Sequence, residues 1–195
     1  MRLLKKLNRG FVLTLAVIIA VSAYLVYLNA ARKSDRSEIE KLNSDFFAAY
    51  SRVMTLPDAV MAKEGLKEKD FDALAAENMK ELKTYFADNE LCGKYTQNAL
   101  SDIYEKQYTA KKAAAECTVT VARINNYNFN ADFASADVSV NVIYSGPASI
   151  RGNIGETSSD RFSSSESMTF QKTDSGWKIF YFTGQIMYGN DKFIG

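Results

Sequence analysis

The sequence predicts an α+β fold: an amino-terminal transmembrane helix, then helices packed on a curved antiparallel sheet of about four strands, cone-like in outline. Three observations predict it. An uncharged run of 22 residues, Gly10 to Ala31, lies near the start of the chain. Apolar residues then recur at spacings of three and four as far as about Lys112, the period of a helix. From about Ala115 the period changes to two, the period of strands. Helices followed by a run of strands is the order of an α+β domain.

The first element is the apolar run. Its core, "FVLTLAVIIAVSAYLVYL", extends from Phe11 to Leu28. About 20 apolar residues suffice to cross a hydrocarbon layer roughly 30 Å thick. Arg2, Lys5, Lys6 and Arg9 precede it and favour a cytoplasmic amino terminus. The expected division is a basic tail at 1–9, a transmembrane helix at 10–31, and an extracytoplasmic α+β domain at 32–195. The competing reading is a signal peptide cleaved after "VSA" at Val21–Ala23. The run "YLVYL" continues the apolar segment beyond that point, as a spanning helix requires. The expected place is therefore the cell membrane, single-pass, with lipid around the helix and the domain outside.

Three helices are expected next. In Ser34–Met54, Ile39, Leu42, Phe46, Tyr50 and Val53 share one face; Ser37 and Glu40 have the spacing of a capping box. Pro57 and Gly65 break the pattern. In Asp70–Asp88, Phe71, Leu74, Ala75, Met79, Leu82 and Phe86 form a stripe, with Asp70 as its amino-terminal cap. "DNELCG" at 88–93 interrupts, and a shorter helix from Thr96 to Lys112 carries Leu100, Ile103, Tyr104 and Gln107 on one side. These stripes read as core packing.

Four strands follow. Cys117, Val119 and Val121 alternate with Thr118, Thr120 and Ala122. "NNYNFNAD" at 125–132 supplies turn formers. Val138, Val140, Val142 and Tyr144 alternate with Asp137, Ser139 and Asn141. A polar loop, "SGPASIRGNIGETSSD", leads to a strand with Phe162, Ser164, Glu166, Met168 and Phe170 on one side; Ser163–Ser167 reads as its wet face. "TDSG" turns the chain into the last strand, "WKIFYF", which is apolar on both sides. Such a strand is expected in the middle of the sheet, with helices over one face. Trp177, on the side of Ile179 and Tyr181, is expected to be a structural anchor.

Composition limits the chemistry. The chain has no histidine, which removes histidine-based nucleophile pairs, metal ligands and pH switches. Six of the 24 basic residues precede Asp35, the first acid; the 18 that remain face 23 acids, a net of −5 from Ser34 onward. An acidic domain is a poor partner for phosphate backbones, so nucleic acid is discounted. No cofactor or metal motif is recognised and no catalytic residue is assigned. Cys92 and Cys117 are the two cysteines, and outside the membrane they suit a disulfide, with two separate buried thiols as the alternative. Glu166 and Asp137 are the strand carboxylates best placed for a pocket, with solvent or an arginine partner (Arg123 or Arg151) as the plainer reading.

Three features together resemble the nuclear transport factor 2-like superfamily, a cone of helices against a bent sheet. They are "FFAAY" at Phe46–Tyr50, the paired strands "ECTVTVARI" and "SADVSVNVIYS", and the hairpin "TFQKTDSGWKIFYF". The resemblance covers roughly 36–188. With a single amino-terminal span, it is similar to bitopic assembly subunits of bacterial conjugation and type IV secretion machines, and to membrane proteins associated with lipid import in actinobacteria. Both imply contact with other envelope proteins, as a scaffold or accessory subunit, with homo-oligomers open. Enzymes of the superfamily imply the alternative, a small-molecule or catalytic cone pocket using carboxylates and tyrosines. A third reading makes Tyr181, Phe182 and Tyr188 an exposed recognition surface.

Overall fold

A computed structural model of the chain describes residues 9–88, 90–111, 113–114, 116–148 and 154–182. The basic tail before Arg9, the centre of the polar loop and Tyr188 lie outside these residues. The chain divides into two compact units, Met1–Ser37 and Glu38–Gly195. The elements are α1 (Arg9–Val53), α2 (Asp58–Met61), α3 (Glu68–Leu82), a 3-10 turn (Lys83–Tyr85), α4 (Glu90–Thr109), β1 (Glu116–Asn130), β2 (Phe133–Ala148), β3 (Ile154–Thr173) and β4 (Gly176–Tyr181). The fold is α+β, with a long apolar amino-terminal helix and one four-stranded antiparallel sheet.

The first unit is helical from Arg9. Its apolar stretch has a mean hydropathy of 2.5 and none of it is buried. Phe11, Leu13, Ile19 and Val26 are among its exposed side chains. Among the described residues this is the one helix long and apolar enough to cross a membrane. The helix has no break at Ser34–Ser37, so Ser37 is not a cap. Nothing between Ala31 and Glu38 breaks a helix: the stretch holds neither glycine nor proline.

In the second unit, the stripe of α1 delivers Ile39, Phe46, Phe47 and Tyr50 to the core at zero exposure. α3 buries Phe71, Ala75, Met79 and Leu82. It starts earlier than expected, because Asp70 acts from inside the first turn. Its Oδ2 accepts the Lys67 backbone N–H at 2.8 Å. α4 also starts earlier, at Glu90. "DNELCG" therefore does not interrupt the helix before Thr96: Cys92 and Gly93 lie inside it. Gln107 fastens α4 to neighbouring chain. Its Oε1 accepts from the N–H groups of Leu56 (2.9 Å) and Ala114 (3.0 Å), and its Nε2 donates to the Met54 carbonyl at 2.8 Å.

The sheet order is β1-β2-β3-β4. Ala134, Ala136, Val138, Val140, Val142 and Tyr144 of β2 face the core, as do Ser164, Met168 and Phe170 of β3. Ser163, Ser165 and Ser167 face out. The asparagine-rich stretch is not the turn. β1 continues through it to Asn130, with irregularities between Val121 and Arg123 and between Asn125 and Asn128; the chain turns at Ala131–Asp132. Such irregularities bend a strand and increase its twist.

β4 is an edge strand, contrary to the central place expected for it. Its outer edge is covered by a segment distant in sequence: Phe86 bridges Ile179 in parallel, and the Ala87 N–H donates to the Ile179 carbonyl at 2.8 Å. Lys178 Nζ donates to the Thr84 carbonyl at 2.6 Å. A covered edge explains how an edge strand is apolar on both sides. Opposite Phe170 and Thr169 stand Ile179 and Tyr181, so Phe180 is an extra residue on β4. The bulge reverses the alternation: Trp177 and Ile179 are buried, Tyr181 is exposed, and Phe182 returns to the core. Tyr181 therefore does not share the buried side of Trp177.

Candidate functional site

Glu166 stands on β3 opposite Val138, on the strand side that carries Ser164, Met168 and Phe170 to the core. It is half-buried. Its carboxylate is close enough to Cys92, in the first turn of α4, to act on that thiol. The Cys92 Sγ–H donates to the Phe180 carbonyl at 3.3 Å. Burial pushes the Cys92 thiol up to about 11, with the Phe182 backbone opposing and Glu166 adding to the rise. Cys92 is therefore a neutral thiol at ordinary pH and a poor nucleophile.

Asp137 stands elsewhere. It falls between the buried Ala136 and Val138, on the opposite side of β2. Its Oδ2 accepts from Asn126 Nδ2 at 2.6 Å. Asp137 and Glu166 thus occupy opposite sides of the sheet and do not form one pocket.

The disulfide expected between Cys92 and Cys117 is not formed; both are free. Cys92 lies at the start of α4, against β4. Cys117 lies beyond the far end of α4, at the start of β1, where its Sγ accepts from Thr55 Oγ1 at 3.6 Å. Between Cys92 and Thr109 the helix rises by roughly 25 Å. Burial also pushes Cys117 up to about 11, against the Thr55 hydrogen bond.

Trp177 is 5% exposed. Its ring meets the edge of Phe129 at 6.0 Å, and Lys172 Nζ lies 5.6 Å from its centroid. It fills the junction between β4 and the last residues of β1.

The space between helices and sheet is occupied by rings. Tyr50, Tyr104, Tyr144, Phe46, Phe170 and Phe182 all have less than 2% exposure. Phe46 contacts Phe47, Tyr85, Phe86 and Phe182 at centroid distances of 5.0–6.1 Å. Tyr104 is held by donation to the Val53 carbonyl at 2.5 Å and acceptance from Asn78 Nδ2 at 2.7 Å. The Tyr50 hydroxyl is buried without a hydrogen-bond partner among the described residues, and burial raises its pKa. Among those residues, no group of three or more histidine, cysteine, aspartate or glutamate side chains is placed to hold a metal ion.

A cleft of about 670 Å³ opens between the 3-10 turn, Phe86–Asp88 and the first turns of α4, lined by Lys83, Phe86, Asp88, Gly93, Lys94 and Gln97. The sequence pattern singled out none of these as a site. Gly93 reads in the sequence only as the end of the "DNELCG" interruption at 88–93.

Among solved structures, the chain is similar to an NTF2-like protein with a cystatin-like fold from Novosphingobium aromaticivorans, at 17% identity and a TM-score of 0.41, covering 82% of each chain. It is similar to the Kfla4162 protein from Kribbella flavida, at 14% identity and a TM-score of 0.41, covering 76% of this chain and 87% of that one. A third is a dehydratase candidate of the NTF2-like family from Streptomyces avermitilis, at 13% identity and a TM-score of 0.40, covering 76% and 93%. No protein-family model and no curated protein matches the chain.

Proposed function

We propose that the chain is a membrane-anchored, extracytoplasmic interaction domain that acts by contact, as an accessory or scaffold subunit of a bacterial envelope complex. The observation that carries this reading is the close packing of rings among the described core residues. Where a cone enzyme needs an open apolar pocket with a reactive group, rings at zero exposure occupy the space between α1, α4 and the sheet. The two strand carboxylates are on opposite sides, and both thiols are held in their neutral form. The apolar helix supports an anchor. An anchor confines the domain to a surface and raises its effective concentration toward neighbours.

One observation favours a small-molecule site: Glu166 lies on the core-facing side of β3, and its charge acts on the buried Cys92 thiol. Complementation of a gene-deletion strain separates the two readings. The contact reading expects the Glu166→Gln chain to restore the lost phenotype and a chain lacking residues 10–31 not to restore it. Failure of Glu166→Gln alone, with normal folding and level, moves the function to a ligand or catalytic site.

A further inference from the structure

We propose that the outward face of the sheet, along β2 and β3, binds a neutral polysaccharide chain. The proposal goes beyond the contact reading and shares only its extracytoplasmic placement, where such chains are met. The face follows from the register. Ser163, Ser165 and Ser167 of β3 stand opposite Asn141, Ser139 and Asp137 of β2. Their neighbours Val138, Val140, Ser164 and Met168 face the core. Ser135 and Thr169 form the next outward pair, followed by Phe133 and Gln171. From Phe133 to Asn141 the strip is about 27 Å long, which suits an extended chain more than a single sugar.

Rings close one end of the strip. Phe133 and Tyr181 are 39% and 37% exposed, and Tyr181 stands opposite Thr169. Phe180, the extra residue of the β4 bulge, meets Phe133 edge to face at 5.2 Å. A sugar ring stacks its C–H face on an aromatic ring and turns its hydroxyls toward groups that donate and accept. Serine and asparagine are such groups. Ser139 Oγ donates to Ser165 Oγ at 3.1 Å, and Ser163 Oγ to Asn141 Oδ1 at 2.8 Å. These bonds leave the Ser165 O–H and the Asn141 amide N–H groups for a ligand. Other occupants fit less well. Among the outward positions from Phe133 to Asn141 and from Ser163 to Gln171, Asp137 is the one ionisable residue, and its carboxylate accepts from Asn126. Arg123, opposite Ser139, is a basic neighbour on β1; Lys178, opposite Gln171, donates to the Thr84 carbonyl. A polyanion needs a basic cluster, which these positions lack. Protein interfaces are depleted of serine, whereas five of the outward positions are serine.

The test uses the purified full-length chain, in a polyoxyethylene detergent without sugar headgroups, on an array of immobilised oligosaccharides. The neutral probes are cello-, xylo-, manno- and chito-oligosaccharides; the acidic probes carry uronic acid or sulfate. At least one neutral series should bind, and its binding should be unchanged by salt. Phe133→Ala should weaken it by roughly tenfold, through loss of a stacked ring. Ser139→Val combined with Ser165→Val should weaken it similarly while the melting temperature stays equal or rises, because valine is the better strand former. That pair of readings separates loss of hydroxyls from loss of fold. An empty array, binding confined to the acidic probes, or undiminished binding by either variant overturns the proposal. A solution dimer that Ser165→Arg disrupts, with no oligosaccharide bound, would overturn it in favour of a second copy of the chain. The array needs no envelope-protein neighbour, so its failure leaves the contact reading standing. Crosslinking in cells that traps no neighbour defeats the contact reading and leaves this proposal standing.

Discussion

At the scale of single residues, period two decides sides, and it was readable. Glu166 shares its side with Ser164, Met168 and Phe170, and the core lies on that side. The same rule puts Asp137 on the other side, since it alternates with Val138, Val140 and Val142. Trp177 was legible as a large apolar residue after a tight turn; its neighbour Phe129, 48 positions earlier in the chain, was not. Trp177→Ala should cost about 3–5 kcal/mol, a large share of a typical total of about 5–15 kcal/mol, and chemical denaturation will measure it. Full stability of that variant together with loss of a binding partner would make the strand a recognition surface instead. The thiols give a pH prediction. Cys92 and Cys117 are pushed up to about 11, and Tyr104 to about 12, chiefly by burial. A raised acid pKa means that the fold favours the neutral form. The unfolded chain therefore loses its protons first as pH rises. The contribution of the thiols is complete below about 9 and is lost as pH rises toward 11. Melting temperature should hold up to pH 9 and fall above it. A melting temperature that rises between pH 9 and 11 would contradict the assigned burial.

At the scale of elements, the helical and strand periods were legible, and the switch between them near Ala115 falls next to the start of β1 at Glu116. Three things were not legible. α4 begins before Cys92 because a glycine in a first turn is tolerated there. β1 runs through "NNYNFN" because its irregularities absorb turn-forming residues within a paired strand. β4 is an edge because Phe86 and Ala87 cover it, and a covering segment some 90 residues away leaves no local signature. Two predictions belong here. Ala131, in the β1–β2 turn, has a φ of 49°, a left-handed value that a Cβ disfavours. Ala131→Gly should raise stability by roughly 0.5–1 kcal/mol, readable as a higher denaturation midpoint; a lower one would place the strain elsewhere. Gln107 appeared in the sequence only as a member of a helical stripe, yet its side chain satisfies three buried backbone groups. Gln107→Leu keeps the size and strands those groups, at about 1–3 kcal/mol for each. A near-neutral effect would show that water or backbone movement replaces them.

At the scale of the whole molecule, the proposed function joins an apolar helix to a domain whose described core is packed with rings. The first was legible in 22 uncharged residues. The second was not, because a stripe of Phe46, Tyr50 and Tyr104 looks the same whether rings fill a cone or line it. The cleft was also hidden, since Lys83, Phe86 and Gln97 come together only when the 3-10 turn meets α4. Protease added to intact cells should degrade the domain, given the basic residues before the helix; full protection of residues 34–195 would reverse the orientation. The measurement that bears most directly on action by contact is crosslinking mass spectrometry in intact cells. It compares the full chain, the Glu166→Gln chain and a chain lacking residues 10–31. The predicted result is one recurrent set of envelope-protein neighbours, joined through exposed residues of the domain. That set should be the same for the full chain and Glu166→Gln, and lost on removal of the helix. Absence of any recurrent neighbour from the full chain, or loss of the set with Glu166→Gln alone, would contradict it.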